Sequence, residues 1–298
     1  MGTNEGSEAN QQVGRVGFIG LGDIGKPMAK RLISWPGGLT VFDIAPDPVA
    51  ELVALGATAA DTVEELAAEC RVVSIMVRTD DQVRDVFAKI VSVAQPGTVV
   101  AIHSTIAPEL PAELATVGES AGVLVVDAPV SGGAMGAADG TLAILVGGAP
   151  EAFEALHGPF DLMAAEVMHC GDLGAGTAAK LARNMLHYIA FTATGEAMRL
   201  AEAAGIDIPA LGRVIRHTDA VTGGPGSVIH RKTAAPMEPG DPWIPIFEHP
   251  LALGTKDLTH AIEMAERLGV EVPMGRYALK NLGPALGLSA PTDDAVGD

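Results

Sequence analysis

The sequence predicts an α/β domain built on a mostly parallel sheet, joined by one long helix to an all-α C-terminal domain. Three observations predict it. Up to residue 156, short β-branched runs alternate with helical patterns, which is how βαβ units read in sequence. After about residue 172 the alternation stops. Residues 177–204 then contain no proline and one isolated glycine, Gly195. They suffice for a helix of about 42 Å, too long for a βα unit and too apolar to stand alone.

The elements follow in order. Residues 15–20 form a strand and 24–34 a helix, which Trp35-Pro36-Gly37-Gly38 ends. Residues 39–42 form the next strand, and 48–55 and 62–69 read as helical. Strand 72–77, helix 80–90, strand 99–102, helix 108–120 and strand 124–128 continue the alternation. Strand 142–146 and helix 150–156 close it. Beyond the long helix, residues 209–217, 251–268 and 274–282 are helical. Residues 221–249 are rich in Gly and Pro and read as an irregular connection with at most a short helix. The domain boundaries expected from this pass are a loose N-terminal arm at 1–13, a first domain at 14–173, a helical domain at 174–288 and a loose tail at 289–298.

Composition limits the function. Of 298 residues, 48% are hydrophobic and 19% charged, a globular balance. The formal net charge of −18 repels phosphate backbones, which argues against nucleic-acid binding. An anionic substrate would need local positive charge. No run of about 18 apolar residues suggests a membrane span, and residues 1–12 lack the pattern of a signal peptide. Cys70 and Cys170 are the only cysteines, with no metal-ligand spacing and no disulfide framework, as expected of a reduced, cytoplasmic protein. None of the eight histidines makes a metal pattern, and no metal site is expected. His217, His230 and His249 flank the irregular connection and read as structural or exposed.

Chemistry concentrates in two motifs. Directly after the first strand stands Gly20-Leu21-Gly22-Asp23-Ile24-Gly25. A strand before, a helix after and an acidic residue downstream make this a dinucleotide cradle of Rossmann type. Gly20 permits the tight turn, Gly22 admits a pyrophosphate and Gly25 lets the helix pack on the sheet. Asp43 ends the second strand, where a carboxylate can hold the ribose diol of NAD and repel the extra phosphate of NADP. No arginine stands beside it, so NAD is expected ahead of NADP.

The second motif is Gly174-Ala175-Gly176 followed by Thr177, Lys180 and Asn184. Lys180, Asn184, His187 and Phe191 share one helical face. A lysine with a lowered pKa can move the proton of an alcohol or carbonyl oxygen, and Asn184 can hold the lysine or that oxygen. Ser131, Gly132 and Gly133 follow a strand and can cradle a carboxylate. Ser104 and Thr105 end another strand at the same edge, with His103 before them. Lys256-Asp257 reads as the opening of a late helix, either a surface pair or a second cation for the cleft.

From about residue 15 to residue 286 the chain resembles the 3-hydroxyacid dehydrogenases, the group that includes 3-hydroxyisobutyrate dehydrogenase and short-chain semialdehyde and glyoxylate reductases. The blocks that carry the resemblance are residues 17–25, 127–133, 139–148, 174–184 and 256–258. It implies a catalytic Lys180 partnered by Asn184, and substrate binding by Ser131, Gly132, Gly133 and Lys256. It implies cofactor contacts at residues 20–25, Asp43, Val77, Arg78, Gln82, Thr105 and Lys256. It implies NAD as cofactor, a small carboxylate-bearing substrate, and a homodimer or homotetramer built through the helical domain. Arg78 departs from the proline many members carry, and residues 217–249 depart from the 3-hydroxyisobutyrate pattern. The expected activity is hydride transfer between NAD and a small 3-hydroxy acid, or reduction of the semialdehyde. An imine reductase on the same fold and a non-catalytic dinucleotide sensor are the alternatives; relatives of either kind tend to lack the lysine.

Overall fold

The computed structural model of the protein describes residues 14–229 and 233–288. The expected N-terminal arm, the expected tail and His230 lie outside the described residues. The chain divides into two compact units, and the division falls between Arg183 and Asn184, inside one helix.

The strands of the first unit are β1 (Val16–Ile19), β2 (Leu39–Phe42), β3 (Thr58–Ala59), β4 (Val72–Ile75), β5 (Val99–Ile102), β6 (Leu124–Asp127), β7 (Val130–Ser131), β8 (Leu142–Gly147) and β9 (Ala164–Gly171). They join in one sheet of order β3-β2-β1-β4-β5-β6-β8-β7, with β9 beside β8. β1 to β6 are all parallel. β8 runs antiparallel to β6 and β7, and β9 runs parallel to β8. The chain travels outward from β1 to β3, then crosses back to β4 on the other side of β1. That reversal opens a crevice beyond the carboxyl ends of β1 and β4.

The helices of this unit are α1 (Gly25–Arg31), α2 (Pro46–Val53), α3 (Val63–Glu69), α4 (Asp80–Val91), α5 (Leu110–Glu119), α6 (Gly133–Asp139), α7 (Pro150–Glu154) and α8 (His157–Asp161). They cover both faces of the sheet, so its strands read as apolar runs. Neighbouring side chains take opposite sides. Val16, Phe18, Val41 and Val99 pack with Met28 and Phe160, while Ile19, Val73, Val100 and Ile102 pack with Leu66 and Leu114.

Two details depart from the sequence expectation. The helix expected to reach residue 34 stops at Arg31, and Leu32–Ser34 tightens into a 3₁₀ turn ahead of Pro36. Strands β3, β7 and β9 and helices α6 and α8 carry no pattern that predicts them. Four of these are short. β9 is longer, but only its first residue, Ala164, is buried, while Ala165, Glu166, Met168 and His169 are exposed, so no apolar alternation marks it.

α9 (Ala175–Ala203) carries the chain from the first unit into the second, which continues with α10 (Ile208–Thr222), α11 (Ile244–Leu268) and α12 (Pro273–Ala285). The irregular connection is shorter than expected. α10 runs on to Thr222, where Gly223 at φ +86° ends it. α11 starts at Ile244 and continues through Pro250. A proline there removes one helix hydrogen bond, yet Phe247 is buried with Met237 and Leu286, and that burial holds the first turns helical. Lys256 and Asp257 consequently lie within α11 rather than at its start. In the same unit Glu196 of α9 is buried and accepts the backbone N–H groups of Met274 at 2.8 Å and Gly275 at 3.0 Å. It thereby caps α12 from another helix. Among the described residues, no helix is long and apolar enough to cross a membrane.

Candidate active site

Nine of the expected cofactor residues line one cleft of about 620 Å³: Gly20, Gly22, Asp23, Ile24, Gly25, Asp43, Val77, Arg78 and Gln82. Its floor is the turn after β1. Gly20 has φ +93°, and a Cβ there would collide with the Met76 carbonyl. A Cβ on Gly25 would collide with the Gly20 carbonyl, whereas one on Gly22 would meet nothing within 4 Å. The first and third glycines are thus demanded by the fold, and the second leaves a bare stretch of backbone facing open space. That is the shape a pyrophosphate needs, so these residues fit a dinucleotide.

Asp43 lies across from this turn. Its carboxylate accepts the Leu21 N–H at 2.5 Å and the Ala45 N–H at 2.8 Å, which ties the glycine turn to the end of β2. The Leu21 side chain is buried in the core, so only its backbone serves the turn. The carboxylate oxygens retain lone pairs for a ribose diol. Gln82 uses its side-chain carbonyl to accept from Arg78 and Thr79 N–H, completing the capping box of α4. Arg78 is exposed and lines the cleft with Asp23, Asp43 and Asp85. Asp85 has no signal in the sequence, because only the packing of α4 turns it toward the cleft.

The neighbouring strand ends play supporting parts. The Ser104 hydroxyl donates to the Val77 carbonyl at 2.7 Å and accepts the Val77 N–H at 3.0 Å, fixing the loop after β4. Thr105 is exposed and is not among the residues that line the cleft. His103 is fully buried between Phe18 and Phe160. Its Nδ1–H donates to the Ala128 carbonyl at 2.8 Å, and its Nε2 accepts from the Ser74 hydroxyl at 3.1 Å. Burial lowers its pKa to about 4, so it is a neutral core residue.

The second motif is anchored by Asp127, a fully buried carboxylate at the carboxyl end of β6. It accepts the N–H of Gly174 at 2.7 Å and of Thr177 at 2.5 Å. These are donors that the start of a helix leaves unpaired. Close approach makes the anchor possible: a Cβ on Gly176 would collide with the Leu145 carbonyl, and one on Gly147 with Asp127. The start of α9 is therefore pinned at the same sheet edge that carries the cleft. Three residues past Thr177 stands Lys180, only 7% exposed. Burial draws its pKa below the ordinary lysine value, and the positive charge of Arg183 adds to the effect. Asn184 follows one turn later and is half-buried; the rings of His187 and Phe191 meet beyond it at a tilt, with centroids 4.2 Å apart.

Ser131 ends β7, and Gly132 (φ +132°) and Gly133 (φ +64°) lead directly into α6. No side chain caps that helix, so the N–H groups of its first turn are available beside the Ser131 hydroxyl. Lys256 belongs to the second unit, where it is exposed on α11 and pairs with Asp257 at 3.3 Å. Among the described residues, no cluster of His, Cys, Asp or Glu is placed to hold a metal.

Comparison with known proteins gives this arrangement a family. Residues 15–171 match the family described as the NAD binding domain of 6-phosphogluconate dehydrogenase. Residues 174–288 match the NAD-binding family of NADP-dependent 3-hydroxyisobutyrate dehydrogenase. The chain is 48% identical over 286 residues to an uncharacterised oxidoreductase of Mycobacterium tuberculosis, covering 95% of this chain and 97% of that one. It is 34% identical over 279 residues to the NAD-dependent L-serine dehydrogenase of Pseudomonas aeruginosa, covering 89% and 90%. A crystal structure described as an oxidoreductase from Mycobacterium avium 104 superposes with a TM-score of 0.90 at 46% identity, covering 92% of this chain and 99% of that one. The fold and the dinucleotide cleft define an NAD-binding oxidoreductase. The chain belongs to the 3-hydroxyacid dehydrogenase family, of 3-hydroxyisobutyrate dehydrogenase type.

Proposed function

We propose that the protein oxidises a small 3-hydroxy acid with NAD, or reduces the corresponding semialdehyde, with Lys180 as general acid–base. The observation that carries this reading is Lys180 itself, buried on a helix whose first turn is pinned at the sheet's carboxyl edge. An unperturbed lysine titrates near pH 10.4 and stays charged at neutrality; a lowered pKa brings it toward working pH. When bound, NAD supplies the hydride acceptor. Neutral Lys180 takes the proton of the substrate hydroxyl, and its ammonium returns that proton in the opposite direction. Asn184 orients the lysine or the substrate oxygen. The Ser131 hydroxyl and the N–H groups at Gly132 and Gly133 hold the substrate carboxylate, as helix starts hold anions. Lys256 adds a positive charge for substrate and cofactor, and Val77 and Thr105 contact the cofactor.

The charges around the cleft support NAD over NADP. Among the described residues, Asp23, Asp43 and Asp85 line it against one cation, Arg78, so an added phosphate would enter a field of its own sign. The free thiols Cys70 and Cys170 fit the reducing cytoplasm. In the second unit, Tyr188 and Phe191 are 61% and 59% exposed and Val221 75%. Apolar exposure on that scale supports a homodimer or homotetramer that covers these helices.

The test is reduced-nicotinamide formation with NAD and with NADP across 3-hydroxyisobutyrate, 3-hydroxypropionate, serine, 4-hydroxybutyrate and an aryl-substituted 3-hydroxy acid. Turnover with NAD on one of them supports the reading. Turnover confined to a cyclic imine with reduced cofactor would replace it with imine reduction, and tight NAD binding without any turnover would replace it with a sensor.

A further inference from the structure

One polar atom near the proposed chemistry lacks a partner. The Thr177 hydroxyl is fully buried and is the buried side-chain oxygen or nitrogen left without a hydrogen bond among the described residues. Buried polar groups are nearly always paired, because an unpaired one loses its hydrogen bonds to water and gains none in return. Helical threonines elsewhere in this chain solve the problem by donating to the carbonyl four residues back, as Thr192 does to Tyr188 and Thr194 to Ala190. Thr177 stands in the first turn of α9 and does not. Its backbone is held instead, through the N–H bonded to Asp127.

Three residues on is Lys180, also buried. Positions i and i+3 are neighbours on a helix surface, with Cβ atoms about 5–6 Å apart. A lysine side chain spans that distance easily, and its ammonium needs acceptors when it leaves water. We propose that Thr177 is a positioning residue for Lys180: its hydroxyl oxygen accepts a hydrogen bond from the ammonium and holds it at the start of α9. The side chain of Thr177 then meets Lys180 while its backbone meets Asp127, so the buried carboxylate fixes the lysine through one residue. This rests on the reading of Lys180 as general acid–base.

The charged and titratable groups of this corner are few. Arg183 on α9 disfavours the ammonium, Asp127 from β6 sits behind Thr177, and Cys170 on β9 is a thiol that burial and Asp127 hold in its neutral form. An acceptor hydroxyl favours the charged lysine. Removing it must therefore move the lysine's titration to lower pH.

The experiment compares Thr177→Ser, Thr177→Ala and Thr177→Val in the full-length protein. Serine and alanine differ only by the hydroxyl, so that pair decides the question even if valine does not fold. NAD affinity and the thermal midpoint of each variant establish that it is folded, and Lys180→Ala runs beside them. Thr177→Ala and Thr177→Val should lower kcat by about tenfold with KM nearly unchanged, and shift the kcat–pH profile down by about one pH unit, the size of one charge-assisted hydrogen bond. Thr177→Ser should restore both. Profiles unmoved in all three variants, or a serine variant that behaves like alanine, would overturn the role of the hydroxyl. If Lys180→Ala keeps full turnover, the general acid–base reading fails instead, and the proposal falls with it.

Discussion

A single methyl group separates a residue the fold requires from one that function requires. Gly20 and Gly25 have no room for a Cβ, whereas Gly22 has open space on the cleft side. Gly22→Ala should therefore leave the thermal midpoint within a degree or two and still weaken NAD by about tenfold or more, because the added methyl stands where the backbone must approach the pyrophosphate. Calorimetric titration beside a melting curve checks both halves. His103 gives a second residue-scale prediction. Its folded pKa of about 4 lies below the ordinary 6.5, so between these values the unfolded chain binds the extra proton. Stability contributed by neutral His103 is complete above pH 6.5 and is lost as pH falls toward 4, by about 3 kcal/mol at most. Denaturation measured from pH 7 to 4 should show this slope in the wild type and a shallower one in His103→Gln.

At the scale of elements, two buried carboxylates hold helix starts to distant partners. Asp127→Ala would strand two N–H groups at the beginning of α9 and should cost about 2–4 kcal/mol, together with most of the activity, since Lys180 rides on that turn. Glu196→Ala would do the same to α12 and should lower the melting temperature with NAD affinity unchanged, because Glu196 lies in the other unit. Unfolding by urea and NAD titration separate the two cases. These carboxylates also show where sequence reading stops. The glycine turn, Asp43 and the strands of the parallel sheet are legible because their signals are local: spacing, β-branched runs and flanking breakers. Asp127 and Glu196 bond to backbone N–H groups 47 to 79 positions away, and any residue type supplies such a donor, so no pattern marks the pairing. Pro250 misleads for the converse reason: the local cost of proline is visible in sequence, and the burial of Phe247 that outweighs it is not.

The molecule as a whole carries a net charge of −18 and a second unit whose helices leave large apolar side chains exposed. The first property makes local cations matter for an anionic substrate, and the second points to assembly. Sedimentation should give a dimer or tetramer, and Phe191→Asp should shift it toward the monomer, with the first unit still binding NAD. How these features serve catalysis depends on one claim, that Lys180 handles the proton. The most direct test is the pH–rate profile of NAD reduction on the best 3-hydroxy acid, for the wild type and for Lys180→Met. The account predicts a wild-type rate that rises with pH through a pKa below the ordinary lysine value, and a variant that loses this limb and about 10²–10⁴-fold in kcat while binding NAD normally. A variant that keeps the limb and turns over within a few fold of wild type would contradict it.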